Sequence, residues 1–271
     1  MNIYSNKIIS KIIWKLFINK PKFRLWLTKL LIRDKNAYIE IAGSKIYANT
    51  ITEIGYVRAA KNANSNIVFR DEIASIINIA LIISPQDTFI DIGANVGLYS
   101  SIISRLQYVY PNIKFYAFEA NPETGEKLKR TLLDKNANIE ILGLSDSEKV
   151  IPFAKGAVSG VFGALINASH NQNSNWIVNI STRRLDSFAL DGHSMILKID
   201  VEGHEWEVLQ GASKFFDETR IKAIYLDGYD DERVPSFLSD YGFVAFDGRS
   251  MSNAPTQYHS VLYINEKWLA K

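Results

Sequence analysis

The sequence predicts an α/β fold: a mostly parallel sheet of seven strands with helices on both faces, preceded by a helical and β-hairpin extension. Three observations predict it. Short apolar β-rich runs alternate with helical patterns from residue 88 onward, as crossover units require. The first of these strands, Thr88 to Ile92, breaks into Asp91-x-Gly93-x-Asn95-x-Gly97 and then an apolar helical stretch, Leu98 to Leu106. The next strand, Phe115 to Phe118, ends in Glu119-Ala120-Asn121-Pro122, about twenty residues past the glycines, where an acid meets ribose hydroxyls.

The glycine turn makes a cradle for a nucleotide-like cofactor, because unpaired N–H groups at a helix start point into the crevice. Its spacing is not Gly-x-Gly-x-x-Gly. An acid at the strand end repels a pyrophosphate and attracts the sulfonium or ammonium of S-adenosylmethionine. Asp91, Gly93, Asn95 and Gly97 are therefore expected to hold the methionine end and Glu119 the ribose.

Four segments in order carry a resemblance: Phe-Ile-Asp-Ile-Gly-Ala-Asn-Val-Gly (89–97), Phe-Glu-Ala-Asn-Pro (118–122), Gly-Leu-Ser-Asp (143–146) and Leu-Lys-Ile-Asp-Val-Glu-Gly-His-Glu (197–205). Together the chain resembles the FkbM family of S-adenosylmethionine-dependent methyltransferases over roughly residues 67–265. That resemblance implies a Rossmann-like class I methyltransferase fold and O-methylation of an acceptor, in many members a sugar.

At 271 residues the chain suits one large domain with an appendage. Net charge is +2 and there is no cysteine, which excludes disulfides, thiolate metal sites and a cysteine nucleophile. Residues 1–35 form a basic amphipathic arm, with nine lysines and arginines against Asp34, and Pro21 splits it into two helical stretches. It reads either as a peripheral membrane contact through residues 1–33 or as a helical arm packed on the domain or a second copy, the second being favoured. Lysines and arginines interrupt its apolar stretch too often for a transmembrane helix or a signal-peptide core, so the cytoplasm is the default, with the inner membrane face as the variant.

Residues 36–84 read as a hairpin around Gly43-Ser44, an irregular stretch, and a helix through Ile73 to Ser84 that Asp71 could cap. The methyltransferase domain then spans 85–265: strand 88–92, helix 97–110, strand 113–118, helix 123–135 and strand 139–143. After an excursion over 147–194 come strand 195–200, helix 204–216, strand 222–226, a helix near 231–240, and strands 243–246 and 260–264. The excursion is too long for a plain connection and reads as a hairpin or a lid.

Ser145 and Asp146, just past the third strand, are expected at adenine. The fourth strand ends in Asp200-Val201-Glu202-Gly203-His204-Glu205, a density of ionisable groups that would be costly without a purpose. An alcohol is a poor nucleophile at neutral pH, so His204 is the natural base, with Glu202 competing and Asp200 beside them. Asp200 and Asp227, ending neighbouring strands, could share a Mg or Mn ion that lowers an acceptor hydroxyl's pKa. Trp206, Tyr229 and Tyr258 could stack on a sugar, and Arg183 and Arg184 could meet a phosphate-bearing acceptor.

The expected activity is O-methylation of a sugar hydroxyl in a glycan or glycoside. The alternatives are a non-sugar hydroxylated metabolite as acceptor, or a non-catalytic cofactor-binding module. Nucleic acid is not an expected partner, because the basic residues cluster in an amphipathic arm and no Asn/Asp-Pro-Pro-Tyr/Phe motif is present. The oligomeric state is not legible.

Overall fold

The structure is a computed structural model and describes residues 26, 33–61, 72–154, 164–165, 177–253 and 259–269. Apart from Trp26 and residues 33–35, the basic arm lies outside the described residues, as do Asp71 and Tyr258. Among the described residues, no helix is long and apolar enough to cross a membrane.

Strands β1 (Asn36–Ile41) and β2 (Ser44–Asn49) pair antiparallel around Ala42 and Gly43, both at positive φ (49° and 73°). Two such residues in succession make the hairpin turn whose twist matches its strands. Helices α1 (Ile54–Lys61) and α2 (Ile73–Ile82) follow. The N-cap of α2 is Glu72, whose side chain makes no capping bond.

The alternating part begins with β3 (Asp87–Ile92), α3 (Leu98–Ile103) with a 3-10 turn to Tyr108, β4 (Lys114–Phe118) and α4 (Pro122–Thr131). The strand expected over 139–143 is divided between two sheets: β5 (Asn138–Glu140) joins the main sheet and β6 (Gly143–Leu144) pairs with a later strand. The excursion contributes β7 (Lys149–Ala154), β8 (Ala164–Leu165) and β9 (Ile177–Arg183), a small sheet of order β6-β9-β7-β8.

The main pattern resumes with β10 (Ser194–Ile199), α5 (Glu205–Gln210), α6 (Ser213–Asp217) and β11 (Ile221–Gly228). It ends with α7 (Arg233–Asp240), β12 (Phe243–Asp247), β13 (His259–Asn265) and α8 (Glu266–Leu269).

Seven strands form the main sheet in the order β12-β13-β11-β10-β3-β4-β5. Only β13 runs against its neighbours. The period of two along each strand divides the core. Ile90, Ile92, Leu197 and Ile199 face Val208, Phe215, Val234 and Leu238 of α5, α6 and α7. Phe89, Phe115 and Ile196 face Ala59, Ile76, Ile79 and Ile103 of α1, α2 and α3. Each such side chain, fully buried, contributes about 1.5–3 kcal/mol, so the inner strands can hold charged groups at their ends.

The order reverses between β10 and β3, which lie side by side at the centre while β4 and β11 extend outward in opposite directions. Ligands bind at the carboxyl ends of such a switch point. Register sets the residues there abreast: Ile92 pairs with Ile199, and Ile199 with Leu226. Gly93, Asp200 and Asp227 are the next residues along three adjacent strands.

Candidate active site

The turn after β3 is fastened from beneath. Asp91 has no exposed surface; its Oδ2 accepts from the Ser100 N–H (3.1 Å) and hydroxyl (2.7 Å), and the Lys198 ammonium stands 3.3 Å from Oδ1. Gly93 (φ 72°) lies so close to the Asp200 carbonyl that any Cβ would collide with it. The glycine is thus required by the approach of the neighbouring strand's backbone. Gly97, at φ 88°, begins α3 against Leu128 and Thr131 of α4.

Glu119 closes the other side. It is 9% exposed, and its oxygens accept from the backbone N–H groups of Asn95 (2.9 Å) and Asn121 (2.8 Å). Burial pushes its carboxyl up to about 7, against the pull of those two N–H groups and of Lys198. A carboxylate has about four acceptor positions, so two remain for hydroxyls of a bound ribose. Asn121 caps α4, accepting from the Glu123 N–H at 3.0 Å.

Ser145 is fully buried and Asp146 exposed beside it. Asp146 Oδ1 accepts from Ser147 (2.8 Å), Ser145 (3.1 Å) and Lys149 (3.3 Å), and the Ser147 bond foremost holds its carboxyl below the usual range. His204 joins this group: Nε2 lies 3.0 Å from Ser145 Oγ and Nδ1 lies 3.2 Å from Glu207. A carboxylate at Nδ1 requires a proton there, so in the neutral ring Nε2 and Asp146 Oδ1 compete for the single Ser145 hydroxyl hydrogen. Burial holds the ring's pKa below its ordinary value. The charged neighbours of His204 are Glu207, Lys149 and Asp146. Asp200 and Asp227 are not among them.

The remaining acids converge on Lys198. This lysine is 2% exposed on β10, with Nζ 2.8 Å from the Gly93 carbonyl oxygen, 3.3 Å from Asp91 and 3.4 Å from Asp200. Burial alone would lower its pKa, but Asp91, Asp200, Asp227 and Glu72 outweigh burial and hold it above its usual value. Asp200 and Asp227, the pair expected to share a divalent ion, end adjacent strands of the main sheet. Among the described residues no group of three or more His, Asp or Glu is arranged to hold a metal.

Asp227 accepts a hydrogen bond from Tyr225 at 3.0 Å, and its carboxyl is raised by burial and by Asp200. Glu202 stands on a left-handed turn (φ 53°, then 92° at Gly203), strained for a residue with a side chain. Glu205, buried at the start of α5, accepts the Gly203 N–H at 3.1 Å and fastens that turn. Glu202 is pushed up to about 7 by desolvation, Asp200 and Asp227, with water on its exposed side moderating the repulsion.

One member was missed from sequence. Glu72, at the head of α2, is raised to about 7 by burial and by Asp227 and Asp200, with Lys198 and Tyr99 opposing. Tyr56 of α1 faces the same acids, its hydroxyl held well above its usual pKa by burial and then Glu72. No local motif marks Glu72; it reaches the site through the packing of α2 on the sheet.

The other candidates turn elsewhere. Trp206 packs on Phe237 with Arg233 over its ring, and Tyr229 is buried with its hydroxyl 2.7 Å from that of Tyr263. Arg184 is engaged with Asp186, the carbonyls of Asp146 and Gln210, and Ser213; Arg183 pairs with Glu148 at 3.0 Å. These arginines brace the small sheet.

The model of the methyltransferase FkbM domain matches residues 91–245, more than half of the chain. The hexuronic acid methyltransferase AglP of Haloferax volcanii is 28% identical over 161 residues, covering 57% of this chain and 62% of that protein. Among solved structures, a TehB-like S-adenosylmethionine-dependent methyltransferase from Corynebacterium glutamicum matches with a TM-score of 0.41 at 11% identity, over 79% of this chain and 97% of that one. The tRNA (uracil-54, C5)-methyltransferase of Pyrococcus abyssi, in complex with S-adenosyl-L-homocysteine, matches with a TM-score of 0.43 at 10% identity, over 84% of this chain and 43% of that one.

Proposed function

Because the chain belongs to the FkbM methyltransferase family, we propose that it transfers a methyl group from S-adenosylmethionine to a hydroxyl of a sugar or glycoside. One observation carries the reading. A ribose-type carboxylate, Glu119, and a second carboxylate group, Glu72, Asp200, Glu202 and Asp227, flank the switch point. The hexuronic acid methyltransferase relative supports a sugar as acceptor.

When bound, S-adenosylmethionine supplies an electrophilic methyl group on a sulfonium. Glu119 accepts the ribose hydroxyls, and Asn95 presents its backbone to the same crevice. Ser145 and Asp146 take the adenine edge, with His204 holding Ser145 from behind. Asp91, Gly93 and Gly97 shape the turn from beneath, and Lys198 ties the β3 and β10 strand ends together.

On the acceptor side, methyl transfer needs an oriented hydroxyl and removal of its proton. Glu202 is the base: its neighbours are Asp200 and Asp227, and its carboxyl titrates at about 7. Asp227 and Glu72 accept from neighbouring hydroxyls of the acceptor, which fixes the hydroxyl that meets the base. His204, the base expected from its residue type, serves the cofactor side in this reading. The enzyme would act in the cytoplasm, where its cofactor is available.

The test is labelled-methyl transfer from S-adenosylmethionine to a panel of hexose, deoxyhexose and hexuronate glycosides. Transfer to at least one is expected, with a rate that rises with pH through about 7 as Glu202 ionises. Tight S-adenosylhomocysteine binding with no transfer to any glycoside overturns the sugar assignment.

A further inference from the structure

Asp200 and Asp227 end neighbouring strands but are held differently. Asp200 meets the Lys198 ammonium, whereas Asp227 meets a row of hydroxyls. Tyr225, 1% exposed, donates to Asp227 Oδ1 at 3.0 Å; its oxygen lies 3.0 Å from Ser260 Oγ, which lies 3.1 Å from Ser75 Oγ. Ser260 is 2% exposed and Ser75 fully buried. A carboxylate can only accept. The Tyr225 hydrogen is therefore committed to Asp227, Ser260 must donate to Tyr225, and Ser75 to Ser260. The three hydroxyls form a chain of one polarity, each bond strengthening the next.

The backbone is arranged around this chain. Ser260 lies inside β13 at φ 58°, a left-handed conformation that a residue with a side chain adopts at a cost. Register pairs Leu226 with Val261 and Gly228 with His259, so Ser260 sits across from Asp227. The Ser260 carbonyl accepts the Gly248 N–H at 2.6 Å, and a Cβ on Gly248 would come within 2.8 Å of that carbonyl oxygen and of the Tyr225 ring. On the far side Tyr99 packs on Tyr225 with ring centroids 5.8 Å apart. Ser75 lies one turn into α2, three residues after Glu72, so the bond that ends the chain also ties down the helix head that carries Glu72.

We propose that Ser75, Ser260 and Tyr225 are positioning residues: a buried hydroxyl chain that orients the Asp227 carboxylate, and the first turn of α2, around the acceptor hydroxyls. The acceptor part of this inference rests on the sugar reading given above; the hydroxyl chain itself does not. Asp227 is also faced by Asp200, Lys198, Glu202, Glu72 and Arg249, none of which the substitutions remove.

The experiment compares the full-length protein with Tyr225→Phe, which removes one oxygen, and Ser260→Gly, which removes the hydroxyl and suits the left-handed backbone. The Asp227 carboxyl carbon is titrated by NMR in ¹³C-aspartate-labelled protein. Acceptor and S-adenosylmethionine KM values are measured beside it. Loss of a hydrogen bond to the charged form raises a carboxyl pKa. The Asp227 midpoint should therefore move up by about one pH unit in Tyr225→Phe, on the scale of one charge-assisted bond, and by less in Ser260→Gly. The acceptor KM should rise about tenfold while the S-adenosylmethionine KM stays unchanged. An unmoved Asp227 midpoint in Tyr225→Phe overturns the proposal whatever the activity. A moved midpoint in a protein that methylates no sugar upholds the hydroxyl chain and removes the sugar reading instead.

Discussion

Asp91 and Glu119, on the half of the crevice proposed to take the cofactor, and Glu72, Asp200, Glu202 and Asp227, on the half proposed to take the acceptor, are carboxylates gathered at one sheet edge and held by different means. On the first half Asp91 Oδ2 accepts from Ser100 while Oδ1 has only the Lys198 ion pair at 3.3 Å, and both Glu119 oxygens accept from the N–H groups of Asn95 and Asn121. On the other half Asp200 meets Lys198 and Asp227 meets Tyr225, while Glu72, Glu202 and Asp227 are raised in pKa first by burial and then by the neighbouring acids. Acids matched by donors make a fixed frame. Acids facing acids keep acceptor capacity for hydroxyls that arrive later.

Lys198 belongs to both halves, and removing its charge is the strongest way to break the distinction. Lys198→Met leaves Asp91, which has no exposed surface, without its cation. Breaking a buried pair from one side costs about 3–5 kcal/mol, so the chemical-denaturation midpoint should fall sharply. A variant as stable as the parent would show that the two halves are not tied through this residue. Next in size is Glu119→Gln. One side of its amide must present N–H groups to an N–H donor from Asn95 or Asn121, so S-adenosylhomocysteine affinity should fall about tenfold or more. The parent should bind more tightly as pH rises from 6 to 8, because ribose hydroxyls prefer the ionised carboxyl and burial sets its pKa at about 7. The variant should lose that slope. Calorimetry at three pH values decides both points.

The same contrast explains what was legible in the sequence. Asp91, Gly93, Gly97 and Glu119 lie at strand ends and in the turn after the first of them, so their place in the fold could be read from their spacing. Asp200 and Asp227 were placed as neighbours because parallel strands in register end together. That the Lys198 ammonium would stand beside Asp200 depends on which face of β10 it occupies. Glu72 was invisible because it arrives on a helix head, with its carboxyl among the site acids, while Asp71, the expected cap of α2, lies outside the described residues. Tyr225 carried a usable signal. Two residues before Asp227 on a strand, it points the same way, and a tyrosine in that relation to an acid is a candidate partner. The split of 139–143 between two sheets was not legible, since alternation is the same whichever sheet a strand joins.

Glu72→Gln sharpens the comparison from the acceptor half. The change keeps the shape and removes an acid that helps to raise its neighbours. The acceptor KM should rise about tenfold, as for one lost charge-assisted hydrogen bond, while S-adenosylhomocysteine affinity is unchanged. A loss of cofactor affinity would place Glu72 in the wrong half.

The smallest effect is expected at His204, which tests where the boundary runs. Its ring joins Ser145 to Glu207, and its charged neighbours are Glu207, Lys149 and Asp146, at the corner proposed for adenine. His204→Gln removes the ring acceptor for the Ser145 hydroxyl but leaves an amide within reach. One neutral hydrogen bond is worth about 1 kcal/mol, so the S-adenosylmethionine KM should rise about fivefold with kcat nearly unchanged. If the histidine instead removed the acceptor proton, kcat would fall a hundredfold or more, since general base catalysis contributes about 10²–10⁴, with cofactor affinity intact. The two outcomes separate in one set of initial rates: a KM effect keeps His204 with the cofactor, and a kcat effect moves it, and the base, across the boundary.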